Sequence, residues 1–90
     1  MITSAQCRAA RGLLDWTQQD LAGRAGVGIV TVRQVEAGVS APRRATLDVI
    51  RRALEGAGVE FIDENGGGPG VRLHRRQRKK AQPRARVIKA

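Results

Sequence analysis

The sequence predicts a mostly α-helical protein: a compact four-helix domain, then a short β-strand pair or hairpin, then a disordered basic tail. Three observations carry this reading. Thr3 and Thr17 each stand three residues before a Gln or Asp that completes a capping box. Gly26 and Gly38 follow short stretches of helical periodicity, at the positions where helices stop. The charge is also divided. Residues 1–58 hold eight arginines against five acids, whereas residues 59–90 hold nine cations against three acids, none of them after Glu64. These divisions give a helical domain over 1–58, a strand segment over 59–74 that is a possible dimerisation element, and a tail over 75–90.

The first helix is expected to start behind Thr3, with Gln6 closing its box and Cys7, Ala10, Leu13 and Leu14 at helical spacing. The second starts behind Thr17, with Asp20 at the third helical position. Trp16, just before the cap, is placed to pack on Leu21 as a hydrophobic staple. Gly26 suits the left-handed residue that ends this helix. A third helix over 29–37 follows, capped by Gly28, which offers no side-chain oxygen, and closed by Gly38. Val32 and Val35 face the core in this reading, with Ile29, Val30, Arg33 and Gln34 on the other side. The fourth helix covers 45–57, with Leu47, Val49, Ile50 and Leu54 as its apolar stripe. Beyond it, residues 59–64 and 71–74 read as strands joined through the glycine-rich stretch 65–70. They close a hairpin in one chain or pair between two chains.

At 90 residues and with a thin core, one small domain is the limit. A formal net charge of +9 points to an anionic partner, nucleic acid or an acidic membrane surface. No apolar run approaches the roughly 18 residues of a membrane span, and no signal-peptide pattern opens the chain, so the expectation is a cytoplasmic protein without a membrane partner. The single cysteine fits a reducing compartment and reads as a small core hydrophobe. His74 is the only histidine and lies far from Cys7, so no metal site or cofactor is expected. Two aromatic residues, Trp16 and Phe61, are too few for base stacking in rows. An enzyme is not expected, because no nucleophile–base or carboxylate pair can be assembled.

Two short helices joined by a glycine turn form a helix-turn-helix, whose second helix can enter a major groove. The run Thr17-Gln-Gln-Asp-Leu-Ala-Gly-Arg-Ala-Gly-Val-Gly-Ile-Val-Thr-Val-Arg-Gln-Val-Glu-Ala-Gly38 resembles the lambda-repressor-like, xenobiotic-response-element-type helix-turn-helix regulators. The resemblance covers about residues 2–59. It rests on Arg11 ahead of the Thr-Gln start, the Asp-Leu-Ala core, the Ala-Gly turn and the Val-Glu-Ala-Gly close. It implies double-stranded DNA as partner, and a homodimer. By position, it implies base contact from Gly28, Ile29, Val30, Arg33 and Gln34, and phosphate contact from Thr17, Gln18, Thr31, Arg43 and Arg44, the last two in a loop. It also implies an internal salt bridge between Arg11 and Glu36. Gly28 departs from the family, where Ser or Thr is common. Ile29 and Val30 are apolar where many relatives are polar, so direct readout rests on Arg33 and Gln34, with apolar contacts such as thymine methyls left to the other two.

Ile29 and Val30 could equally be a protein-binding patch or partial core. The tail, with eight cations from Arg75 onward, is either a DNA-affinity element or a solvated extension. The leading expectation is a small sequence-specific transcriptional regulator of repressor type. The alternatives are an antitoxin-like interaction module with a protein partner that also binds DNA, and a weakly specific architectural binder.

Overall fold

The computed structural model describes residues 1–39, 41–64 and 66–73. The tail expected over 75–90, and His74, lie outside the described residues. Four helices run in chain order, α1 (Ser4–Leu14), α2 (Gln18–Ala25), α3 (Ile29–Ala37) and α4 (Arg44–Gly56). Two strands follow, β1 (Val59–Ile62) and β2 (Gly70–Leu73). The strands pair antiparallel within the chain, Val59 opposite Leu73 and Ile62 opposite Gly70, which resolves the pairing in favour of the hairpin.

Local chemistry accounts for most of the boundaries. Both expected capping boxes are formed. Thr3 Oγ1 accepts from the Gln6 amide at 3.0 Å while Gln6 Oε1 accepts from the Thr3 N–H at 2.9 Å. Thr17 and Asp20 exchange the same pair of bonds at 3.0 and 2.9 Å. The α2–α3 turn depends on Gly26, whose φ of 74° lets its N–H and that of Val27 both reach the Ala22 carbonyl. At Gly38, φ is 67°, which favours glycine, and an added Cβ would crowd Ser4 Oγ at 3.2 Å. Helix α4 departs from expectation. It begins one residue earlier, with Arg43 as its cap and Arg44 as its first residue, so these two arginines open a helix instead of occupying a loop.

One hydrophobic cluster joins all six elements. It includes Ile2, Cys7, Ala10, Leu21, Ala22, Val32, Val35, Leu47, Ile50 and Leu54, and also Val59 and Phe61 of β1. The alternation of β1 turns Val59 and Phe61 to the helices, with Val71 and Leu73 packing on the same core. Trp16 packs against the cluster that holds Leu21, as a staple requires. Three expected apolar positions differ. Leu13 is exposed, one helical step from the half-buried Leu14 that packs on the core. Val49 is only half-buried, because it is one helical step from Ile50 and rotates off the stripe. Ile29 is half-buried against the core instead of facing outward, because it stands three residues before Val32 and seven before Glu36, on their side of α3.

Gln6 ties the hairpin to the helices. It is buried, and its Nε2 donates to the carbonyls of Ile62 (3.2 Å) and Gly70 (2.9 Å), the last paired residues before the hairpin loop. A two-stranded sheet is marginal alone, and this amide fixes its loop end to α1. Replacing Gln6 by Leu should cost about 1–3 kcal/mol, since buried polar groups lose their partners. Glu at this position keeps the cap but sets a carboxylate against two carbonyl oxygens, and should be worse than Leu. Urea midpoints of the three proteins test this, and a Glu variant as stable as the parent would show that the amide does not clamp the hairpin.

Candidate nucleic-acid interface

The candidate interface is the outer face of α3, and its orientation is fixed from behind. Val32, Val35 and Glu36 are buried, and Ile29 sits half-buried on the same side. Val30, Arg33, Gln34 and Ala37, spaced i, i+3, i+4 and i+7, form the exposed stripe. Gly28 is exposed at the cap, with no side-chain hydrogen bond to the helix. Thus Arg33, Gln34 and Val30 share an accessible face, Gly28 is exposed at the cap end of the helix, and Ile29 lies between that face and the core.

The support behind α3 is a carboxylate network. Glu36 is 3 % exposed, and its two oxygens accept four bonds. Arg11 donates from Nε to Oε2 at 2.8 Å and from Nη2 to Oε1 at 2.9 Å. Gln18 Nε2 donates to Oε1 at 3.1 Å, and the Cys7 thiol to Oε2 at 3.5 Å. The Arg11 fork makes the expected salt bridge bidentate, and its third nitrogen donates to the Trp16 carbonyl at 2.9 Å. Burial pushes the Glu36 carboxyl up, but the hydrogen bonds from Arg11 and Gln18 and the Arg11 charge outweigh it and hold the carboxyl below its ordinary range. The same contact raises Arg11 further. Burial, followed by the neighbouring carboxylate, pushes the Cys7 thiol up to about 12.

Side chains of α1 also finish the C-terminal end of α3. Ser4 Oγ donates to the Val35 carbonyl at 2.6 Å and Arg8 Nη1 donates to the Glu36 carbonyl. Ser4, Cys7, Arg8 and Arg11 follow i, i+3, i+4 and i+7 spacing along α1. That polar stripe was the available signal for a support role, which sequence reasoning gave to Arg11 alone. Arg24 was also missed. Its guanidinium lies 4.8 Å from the centroid of the Trp16 ring.

The residues expected on phosphate fall into two groups. Thr17 and Gln18 open α2. The Thr17 oxygen accepts the cap bond, which leaves its hydroxyl proton to donate outward. Gln18 is half-buried and commits an amide hydrogen to Glu36, so it takes part in the internal network. Thr31 and Arg43 come together with Gln34 in a groove of about 310 Å³ between α3 and the start of α4, also lined by Pro42 and Thr46. Arg43 and Arg44 are exposed at a helix start with no side-chain cap and no acid in its first turn. Cations there oppose the helix dipole by about 0.3–1 kcal/mol each, a conflict that an arriving anion relieves.

The geometry agrees with the family comparison. A family model described as Helix-turn-helix matches residues 8–61, more than half of the chain and the whole of α2, α3 and α4. The chain therefore belongs to the lambda-repressor-like helix-turn-helix family, a family of DNA-binding regulators. A comparison with curated proteins found no match. Among the described residues, no helix is long and apolar enough to cross a membrane.

The Glu36 network predicts a coupled, acid-sensitive scaffold. Arg11→Ala should cost about 3–5 kcal/mol, because it leaves a buried carboxylate short of its main partner. A double-mutant cycle with Glu36→Gln should give a coupling energy of about 1–3 kcal/mol. The folded Glu36 carboxyl titrates below its unfolded value. Its contribution is therefore complete above the ordinary value of 4.5 and is lost as the pH falls through the folded one. Glu36→Gln should be less stable than the parent at pH 7 and should flatten the acid side of its stability profile. Parallel profiles for the two proteins, from denaturant titrations between pH 3 and pH 7, would be inconsistent with this assignment.

Proposed function

We propose that the chain is a sequence-specific double-stranded DNA-binding transcriptional regulator that places α3 in the major groove. The observation that carries this reading is the exposed stripe of α3, which is supported from behind by Glu36 and by the core. Arg33 and Gln34 supply the direct readout. Arginine pairs with the O6 and N7 of guanine, and glutamine with the N6 and N7 of adenine. Gly28 and Ile29 flank them at the start of the helix, within contact range of the groove wall. Thr17, Thr31, Arg43 and Arg44 take phosphates, and Gln18 adds a contact from its remaining amide atoms. The protein acts by occupying its operator, in the manner of a repressor, and not by chemistry of its own. It works in the cytoplasm as a homodimer, with recognition helices about 34 Å apart, one turn of DNA. Support for the dimer is the two-stranded sheet, each of whose strands has, among the described residues, one edge without a strand neighbour.

Selection from random duplexes should return two related half-sites one turn apart. On that site, Arg33→Ala and Gln34→Ala should each cost about 1–3 kcal/mol and relax the preference at one base position. If both variants select the parental motif, α3 is not the reading helix. If no motif emerges, the protein is an architectural binder.

The cations from Arg75 onward should add affinity without discrimination, through release of counterions from phosphate. A chain ending after His74 should bind operator and random DNA more weakly by similar factors. Its salt dependence should be shallower by about one unit of slope for each phosphate that the tail no longer neutralises. An unchanged slope would place the tail off the DNA.

A further inference from the structure

We propose that the β1–β2 hairpin positions α3 from a distance, through the first turn of α1, so that loosening the hairpin loosens the hold of α3 on DNA. The inference rests on the functional reading above and adds to it a control element outside the DNA-binding face. Two side chains of α1, Ser4 and Gln6, make the connection. The Gln6 amide has two hydrogens, and both are spent on the hairpin, on the carbonyls of Ile62 and Gly70. Ser4 Oγ donates to the Val35 carbonyl in the last turn of α3 at 2.6 Å. The backbone between them is held on both sides. Thr3 and Gln6 close their capping box around Ser4, and Ile2 and Cys7, which flank the box, are both buried in the core.

The Gln6 end of this link has two discrete states. The amide cannot turn over in place, because its oxygen would then face two carbonyl oxygens and its nitrogen the Thr3 N–H. Once the hairpin leaves, both donors lose their acceptors, and the orientation that keeps Oε1 on the Thr3 N–H is no longer enforced. At the other end, the last turn of α3 is finished largely by α1. It carries no basic residue of its own, and Ser4 and Arg8 donate to its Val35 and Glu36 carbonyls. A helix end held in this way follows the helix that holds it. Arg33 and Gln34 stand within one turn of Val35, so a shift there reaches the side chains proposed to read bases. Coupling between distant sites is carried by hydrogen-bonded and packed groups of this kind.

The test uses the full chain. Val71→Ala trims a β2 side chain packed on the core, and should loosen the hairpin. Gly70→Ala adds a Cβ that meets only Ile62 Cδ1, at 3.8 Å, and should stiffen it. In amide hydrogen exchange of the free protein, Val71→Ala should speed β1 and β2 by about 3–10-fold and the last turn of α3 by about 2–5-fold. Arg24 and Ala25, at the end of α2, should change less. Gly70→Ala should move the hairpin and α3 the other way. Adding Ser4→Ala should keep the response of the hairpin and abolish that of α3. On the selected operator, Val71→Ala should bind about 2–5-fold more weakly with an unchanged salt slope, since no phosphate contact is lost. An α3 that does not follow the hairpin, or that follows it equally after Ser4→Ala, would overturn the coupling and leave DNA binding by α3 standing. Operator binding that ignores Val71→Ala would overturn the link to DNA. A parent that selects no operator would overturn the functional reading and that link together, while the exchange comparison still decides whether the hairpin positions α3.

Discussion

A carboxylate buried to 3 % exposure has to be surrounded by donors, and Glu36 meets that requirement from two other helices at once. Arg11 and Cys7 approach from α1 and Gln18 from α2, while Glu36 itself stands in the last turn of α3. Apolar burial alone does little to fix the relative rotation of these three helices, because each is only eight to eleven residues long and buries only two or three side chains. Apolar packing tolerates small slides and rotations, whereas a bidentate guanidinium–carboxylate pair does so much less. The direction in which α3 presents its outer stripe is thus set by a polar contact on its inner side.

The four helix starts divide into two kinds. Those of α1 and α2 are closed by reciprocal capping boxes, and that of α2 also carries Thr17 and Gln18, which are proposed to meet phosphate. Those of α3 and α4 lack side-chain caps, carry no acid in the first turn, and in α4 begin with two arginines. The capping rule is broken at the two starts proposed to line the groove between α3 and α4, where natural sequences tolerate conflict. The groove shared by Thr31, Gln34 and Arg43 joins the two uncapped ends into one surface.

The helices were legible because their signals are local. Thr3, Thr17, Gly26 and Gly38 each act on residues within one turn, so four boundaries fall where the sequence places them. The pair Arg11–Glu36 was legible only by resemblance, since nothing within one turn of either residue names the other. Interactions across the chain were not legible. Gln6 reads as half of a capping box, and its second role depends on carbonyls 56 and 64 residues away. Ile29 was misplaced because the apolar face of α3 was read from Val32 and Val35 alone. The buried Glu36 widens that face, and a polar residue at a buried position is invisible to a hydrophobic pattern. The start of α4 was missed by one residue because neither Arg43 nor Arg44 is a preferred cap. Val30, Arg33 and Gln34 are exposed on α3 as read, Ile29 is not, and neither Ala37 on that stripe nor the groove toward α4 was foreseen.

Cys7 gives the domain an internal reporter of its own opening. Its side chain is fully enclosed, and its thiol is held in the protonated form by burial and by the carboxylate beside it. Only the thiolate reacts at a useful rate with disulfides or alkylating reagents. In the closed domain, therefore, neither access nor ionisation is available. Modification has to wait until α1 leaves α3, and under conditions where reagent is in excess its rate becomes a clock for that separation. The atom that helps to hold α3 also records, once and permanently under an alkylating reagent, each molecule in which that hold has given way.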